Sequence, residues 1–207
     1  MSIAKKALMP LVIASSNVHK IREIKEILKE ILPLELLSLR DFSRYKSAEE
    51  TGSSFQENAT EKALHAAKSL RHWALADDSG LVIPALCGEP GIYSARYAGK
   101  DASDADNRNK LLFKMQTLMD AERDGYFECC LALVSPDGSS KKISCATVEG
   151  TILHQEKGSS GFGYDSLFVK HGYHKTFAEL ESHIKNKISH RRKALDKLLP
   201  SLEELFF

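Results

Sequence analysis

The densest candidate for chemistry in this 207-residue sequence is a stretch where an apolar run breaks into charge. Trp73-Ala74-Leu75-Ala76 gives way to Asp77-Asp78-Ser79-Gly80 before Leu81-Val82-Ile83 resumes. The pattern predicts a buried strand ending in two carboxylates and a glycine, which holds charge at a rigid point. Sites are commonly built at strand ends. Paired carboxylates suit a hard cation such as Mg²⁺, or a general base. They equally suit a turn capped by one aspartate, and this stretch alone leaves both readings open. A basic counterpart lies near the C-terminus, where Lys185, Lys187, Arg191, Arg192, Lys193 and Lys197 face only Asp196. A second acidic locus holds Glu49, Glu50, Glu57 and Glu61, with no base before Lys62. Acidic and basic loci in one chain fit a metal plus a polyanionic ligand, or two solvated faces.

These residues need elements to hold them. Leu11-Val12-Ile13-Ala14 reads as a short buried strand, and Ser15-Ser16-Asn17 supplies N-cap residues. Ile21, Ile24, Ile27, Leu28 and Ile31 then recur at helical spacing up to Pro33. A strand–loop–helix unit with Lys20 in the first helical turn favours phosphate through helix-start N–H groups. Residues 34–39 read as a second strand and 40–51 as a loop. Ser53 or Ser54 caps a helix with a small inner face of Ala59, Ala63, Ala66 and Ala67, which also carries Glu57, Asn58, Glu61 and Lys62. Leu111, Leu112, Met115, Leu118 and Met119 mark a third helix. Residues 126–134 and 140–148 form strands around the turn Ser135-Pro136-Asp137-Gly138, and 150–152 continues the second. Gly158-Ser159-Ser160-Gly161-Phe162-Gly163-Tyr164-Asp165 is either a flexible tip or a close approach to a flat ligand. Residues 166–170 read as another strand. Ser189 caps a last helix carrying Ala194, Leu195, Leu198 and Leu199, with Pro200 expected to stop it. His190, Arg191 and Arg192 in its first turn oppose the helix dipole, and such broken local rules tend to mark functional sites.

At 43% hydrophobic and 28% charged residues, the chain can bury one sizeable core, and a formal net charge of +1 argues neither for nor against nucleic acid. Cys87, Cys129, Cys130 and Cys145 form no CxxC pair, so neither a disulfide framework nor a thiolate metal site is indicated, and a reducing compartment is the simpler reading. Lys5-Lys6 before the apolar residues 7–14 faintly resembles a secretory leader. The run is short, interrupted by Pro10, and better explained as the first strand.

Taken together in this order, the motifs resemble the inosine triphosphate pyrophosphatase family, most closely its bacterial branch, from Val12 to about Leu199. The resemblance rests on Ser15-Ser16-Asn17-Val18-His19-Lys20, on Glu49-Glu50-Thr51-Gly52 with Phe55-Gln56-Glu57-Asn58-Ala59 and Lys62-Ala63, and on Ala76-Asp77-Asp78-Ser79-Gly80-Leu81. It rests also on Pro90-Gly91-Ile92-Tyr93-Ser94-Ala95-Arg96-Tyr97, Gly161-Phe162-Gly163-Tyr164-Asp165 and Ile188-Ser189-His190-Arg191. Ser16 departs from the glycine usual in that branch, which would strain the loop if the position needs positive φ.

The resemblance implies a single α/β domain over 1–207, a long mixed sheet flanked by helices, with two lobes and a central cleft. It implies hydrolysis of ITP, dITP and XTP to the monophosphate and pyrophosphate. Residues Ser15, Ser16, Asn17, Val18, His19 and Lys20 would hold the triphosphate. Glu49 and Asp78 would bind Mg²⁺, with Asp78 orienting a water whose pKa the ion lowers. Lys20, Lys62 and Glu57 would assist, and Ser79 would contact substrate. Phe162, Gly163, Tyr164, Asp165, Lys185, His190 and Arg191 would form the base pocket, with Phe162 stacking on the purine and His190 and Arg191 donating to its 6-keto oxygen. A donor-lined pocket disfavours adenine by leaving buried donors unpaired. The resemblance further implies a cytoplasmic homodimer with no membrane or nucleic-acid partner, for which 129–134 and the 126–148 hairpin are interface candidates. The rivals are a pyrophosphatase for other modified nucleotides and a non-catalytic nucleotide-binding protein.

Overall fold

The computed structural model describes residues 9–207. Lys5-Lys6 and the start of the apolar run lie outside them. One mixed six-stranded sheet, in the order β2-β1-β3-β4-β5-β6, carries the fold. β1 (Leu11–Ile13) runs parallel to β2 (Leu36–Ser38) and to β3 (Trp73–Val82). β3, β4 (Asp124–Val134), β5 (Lys141–Ile152) and β6 (Phe168–Lys170) pair antiparallel in turn. Helices cover both faces, so the expected α/β class and mixed sheet are borne out.

The apolar stripe of α1 (Val18–Ile31) and that of α5 (His190–Phe206) bury one face, where Ile24, Leu28, Leu75, Leu131, Leu133, Leu198 and Leu202 form a core. On the other face the alanines of α2 (Phe55–Leu70) meet Ala74, Ala76 and Ala132. Small residues on both partners let helix and sheet approach closely. A third apolar cluster, with Leu81, Phe127, Phe168 and Phe177, fills the far end.

Several expectations need correction. No turn interrupts the opening stretch: β3 is a continuous ten-residue strand running through Asp77, Asp78, Ser79 and Gly80. Its pairing with β4 extends from Ala74 to Val82, and the ladder outweighs the local turn propensity of aspartate and glycine. β1 is only three residues long, so β3 loses its parallel neighbour beyond Leu75 and opens a cleft there. Pro200 lies inside α5, because Leu202 and Phe206 continue the buried stripe beyond it. α3 (Asp104–Lys114) ends before Leu118 and Met119, and Met119 is exposed. A short α4 (Ser182–Ile188) precedes α5. Residues 129–134 are buried between the helices of this same chain, so they offer no interface. Finally, Cys130 and Cys145 stand directly opposite each other on β4 and β5 and are joined by a disulfide. Cross-strand pairing brings together thiols that sequence spacing keeps apart.

Candidate active site

Strand alternation sends consecutive side chains to opposite faces. Asp77 therefore points toward α1 and α5, and Asp78 toward α2. The two carboxylates acquire different surroundings.

Asp78 meets α2. Its Oδ1 lies 2.7 Å from Lys62 Nζ, and its Oδ2 accepts from Asn58 Nδ2 at 3.2 Å. Asn58 and Lys62 share a helix face at i, i+4, so one face delivers both groups. Lys62 also donates to the Asp77 carbonyl at 2.9 Å and lies 3.2 Å from Glu50, whose other oxygen holds Arg96 at 2.8 Å. Burial raises the Asp78 pKa above the ordinary carboxylate value by more than Lys62 and Lys20 lower it. Burial also pulls the Lys62 ammonium pKa down, but Asp78 and Glu50 outweigh it and raise it.

Asp77 is fully buried and belongs to a network. Its oxygens take Lys20 at 2.7 Å, Arg191 Nε at 2.8 Å, the Ser79 hydroxyl at 2.8 Å and the Cys129 thiol at 3.2 Å. Arg191 donates onward to Glu23 and, at 3.1 Å, to Ser79. Lys185 bridges Glu23, at 2.7 Å, to Asp165. Burial opposes ionisation of Asp77, yet Arg191 and Lys20 outweigh it and hold the carboxyl well below the usual range. The guanidinium of Arg191 is correspondingly held above its ordinary value against burial by Asp77 and Glu23. Of the groups at the start of α5 that oppose the dipole, Arg191 is thus neutralised by a strand carboxylate and a helix glutamate, and Arg192 pairs with Asp196 at 2.7 Å.

A hollow of about 250 Å³ is lined by Ser15, Ser16, Asn17, Lys20, Glu50, Lys62, Asp77, Asp78 and Ser79. Asn17 caps α1, its Oδ1 accepting from the N–H groups of His19 at 2.9 Å and Lys20 at 3.1 Å. Ser16 is not strained: the described non-glycine residues with positive φ are Arg71 and Cys87. Asn17, Lys20 and Ser79 also line a second hollow with Phe162, Gly163, Tyr164, Asp165, Lys185, His190 and Arg191. The two hollows therefore share a wall. Gly80 lines the second hollow, and a Cβ there would meet Ser94 Oγ at 2.3 Å and the Gly91 carbonyl at 2.6 Å. In the second hollow, His190 Nδ1 is buried without a partner. Burial, reinforced by Arg191, drives the His190 pKa well down, so its ring is neutral. Tyr164 donates its hydroxyl to the Ser94 carbonyl at 2.9 Å, and Asp165 accepts from Phe162 N at 2.9 Å, so these residues shape the loop. The Phe162 ring has His19 stacked on it at 5.1 Å and Lys185 Nζ 4.8 Å from its centroid.

Some residues expected at the site lie elsewhere. Glu49 is exposed and lines neither hollow, and Val18 is exposed at the start of α1. Glu57 accepts from the backbone and hydroxyl of Ser53, both at 2.7 Å, at the start of α2, facing a different cavity. Sequence reasoning missed Glu50, Asn58, Glu23, Arg96 and Cys129. Glu23 left a signal, as an acid beside Ile24 and Ile27 on the buried side of an amphipathic helix. For Glu50 against Glu49, adjacent identical residues in a loop left none.

The Ham1 family model matches residues 11–201. The chain is 54% identical over 198 residues to the dITP/XTP pyrophosphatase of Protochlamydia amoebophila, covering 95% of this chain and 99% of that protein. It is 52% identical over 196 residues to the dITP/XTP pyrophosphatase of Chlamydia trachomatis, covering 94% and 93%. Among solved structures, a HAM1 protein from Coxiella burnetii superposes with a TM-score of 0.84 at 42% identity, covering 95% of this chain and 99% of that one. The Staphylococcus aureus Ham1 protein does so with a TM-score of 0.81 at 41% identity, covering 94% and 98%. With its fold and nearly its whole length shared with these proteins, the chain belongs to the Ham1 family.

Proposed function

We propose that this protein hydrolyses dITP, XTP and ITP to the nucleoside monophosphate and pyrophosphate, clearing non-standard purine nucleotides from the pool before they enter DNA or RNA. The names of its relatives support the substrate class. The observation that carries the reading is an acid–lysine hollow that shares Asn17, Lys20 and Ser79 with a hollow containing an unpartnered neutral imidazole.

In this reading the triphosphate lies at the start of α1 against Ser15, Ser16, Asn17 and Lys20, and Lys62 adds charge. Asp78 orients the water that attacks the α-phosphorus and accepts its proton. Glu50 and Asp78 fit Mg²⁺: both are hard oxygen donors in one hollow, and both already converge on the Lys62 ammonium. The chemistry expected from Mg²⁺ there is neutralisation of charge developing on the phosphates. Glu49, next in the chain, stays a candidate for this role. Phe162 stacks on the purine, and His190 Nδ1 donates to a 6-keto oxygen. Adenine offers a donor at that position and leaves the imidazole unpaired, which disfavours it. Arg191, each of whose nitrogens donates to Asp77, Glu23 or Ser79, holds His190 in register. We further propose a homodimer in the cytoplasm. No helix among the described residues is long and apolar enough to cross a membrane.

Turnover of ITP, XTP, GTP and ATP with and without Mg²⁺, separating pyrophosphate from orthophosphate, tests the reading. Mg²⁺-dependent pyrophosphate release from ITP and XTP, well above that from ATP, is expected. Orthophosphate release alone would overturn attack at the α-phosphorus, and binding without turnover would favour a nucleotide-binding protein.

A further inference from the structure

The pair Cys130 and Cys145 takes no part in the chemistry above, yet it adjoins it. Asp78, Cys130 and Cys145 are register partners across three strands. Directly opposed residues share a face, so all three lie on the α2 side of the sheet in one row. Cys130 is 1% exposed and packs in the layer formed by Phe55 and Ala59 of α2. That same helix carries Asn58 and Lys62, which occupy both oxygens of Asp78. Cys145 is only partly buried, packed at the margin of this layer. Both cysteines line a cavity of about 880 Å³ that opens to solvent. Glu128 stands on the same face, its Oε1 3.6 Å from Cys130 Sγ.

We propose that Cys130 and Cys145 are a reversible thiol–disulfide site, exchanged through this cavity by a low-molecular-weight disulfide, and that its state sets how tightly α2 holds Asp78. In the forward direction the Cys145 thiolate attacks a disulfide RSSR, giving a mixed disulfide and one thiolate RS⁻. Cys130 passes its proton to Glu128 or water, attacks the Cys145 sulfur and expels the second RS⁻. The two protons lost by the cysteines end on the two RSH products, so two protein thiols are oxidised and one RSSR is reduced. The Cα atoms, 4.2 Å apart, are close enough for the two sulfurs to bond. With the bond made, Cys130 is fixed beneath the first turns of α2, and both Asp78 oxygens are taken by Asn58 and Lys62. Reduction breaks this tether, leaves Cys130 free to turn beneath α2 and loosens the hold of Asn58 and Lys62 on Asp78, freeing it for the water and metal of the proposed reaction, and the reduced enzyme is the faster form. This coupling rests on the hydrolytic reading; the exchange itself does not.

The test uses the full-length protein with Cys87→Ser, which removes the exposed thiol lining the same cavity. Cys129 is fully buried and serves as an internal control. The protein is equilibrated in graded mixtures of reduced and oxidised glutathione and quenched in acid. Its thiols are then counted by maleimide labelling under denaturing conditions, and pyrophosphate release from ITP is followed in parallel. The expected result is joint loss of two thiols in a single two-electron transition, absent in Cys145→Ala. kcat/KM should be about threefold or more higher in the reduced form, a fraction of a tenfold barrier step. In the Cys145→Ala protein the same glutathione mixtures should leave kcat/KM unchanged. A pair that never exchanges overturns the proposal, as does an oxidised form equal to or faster than the reduced one. Absence of pyrophosphate in every mixture would instead count against the hydrolytic reading, with the thiol count still deciding the exchange.

Discussion

Substituting each of the two adjacent aspartates by asparagine should damage different properties. Asp77→Asn keeps the volume but removes the charge that faces Lys20 and Arg191, at a side chain with no solvent exposure of its own. Breaking a buried ion pair costs about 3–5 kcal/mol. The low end applies here, because Arg191 keeps Glu23 and Lys20 is partly exposed. A loss of about 3 kcal/mol in a chain of this size lowers Tm by about 6–12 °C. The sign with pH follows from the depressed pKa of Asp77 in the folded state. Its stabilisation is complete above the unfolded value near ~3.9 and is lost as pH falls toward the folded value. The gap between wild type and Asp77→Asn should therefore close on acidification below about pH 4. Asp78→Asn still accepts from Lys62 and disturbs one hydrogen bond with Asn58, so it should cost only about 1 kcal/mol. Its kcat for pyrophosphate release should nevertheless fall about 10²–10⁴-fold, the range for loss of a positioned proton acceptor. Thermal unfolding across pH, together with steady-state turnover of ITP, reads both. An Asp77→Asn protein melting with wild type, or an Asp78→Asn protein with near-normal kcat, would refute the assignment of opposite faces to opposite roles.

Glu50→Gln should raise the Mg²⁺ concentration needed for half-maximal turnover by about tenfold or more, roughly one lost carboxylate contact. Glu49→Gln should change it little, and a Mg²⁺ titration in which Glu49→Gln has the larger effect would return the role to Glu49. His190 is buried and neutral, its pKa held well below 6.5. The unfolded chain takes up a proton as pH falls through about 6.5, and the folded chain does not. Stability should therefore fall by about 1.4 kcal/mol per pH unit below that value from this group alone. Denaturant melts at pH 7.5 and 5.5 should show the loss in wild type and its reduction in His190→Gln.

The local sequence was sufficient for much of this molecule. Helical spacing of Ile21, Ile24, Ile27 and Leu28, the cap at Asn17, the hairpin turn at 135–138 and the small face of α2 each follow from short-range stereochemistry. They reappear within a few residues of their expected bounds. The ordered motifs sufficed for the family. What the sequence left open depends on which face of an element meets which neighbour. Asp77 and Asp78 looked interchangeable at a strand end. Extending β3 along β4 made them alternate, one into a network with Lys20 and Arg191, the other toward α2. Pro200 looked like a stop until burial of Leu202 and Phe206 outweighed the missing N–H. Cys130 and Cys145 had no local relation until antiparallel register made them neighbours. Glu49 and Glu50 differ only in which side chain the loop turns inward to Lys62 and Arg96. Most element types here are decided by neighbours in sequence, within reach of the backbone, and β3 and the end of α5 are set by their tertiary neighbours instead. The partners of a charged side chain are decided by packing across the sheet, and that arrangement alone separates the carboxylate tied to Lys20 and Arg191 from the one that meets α2.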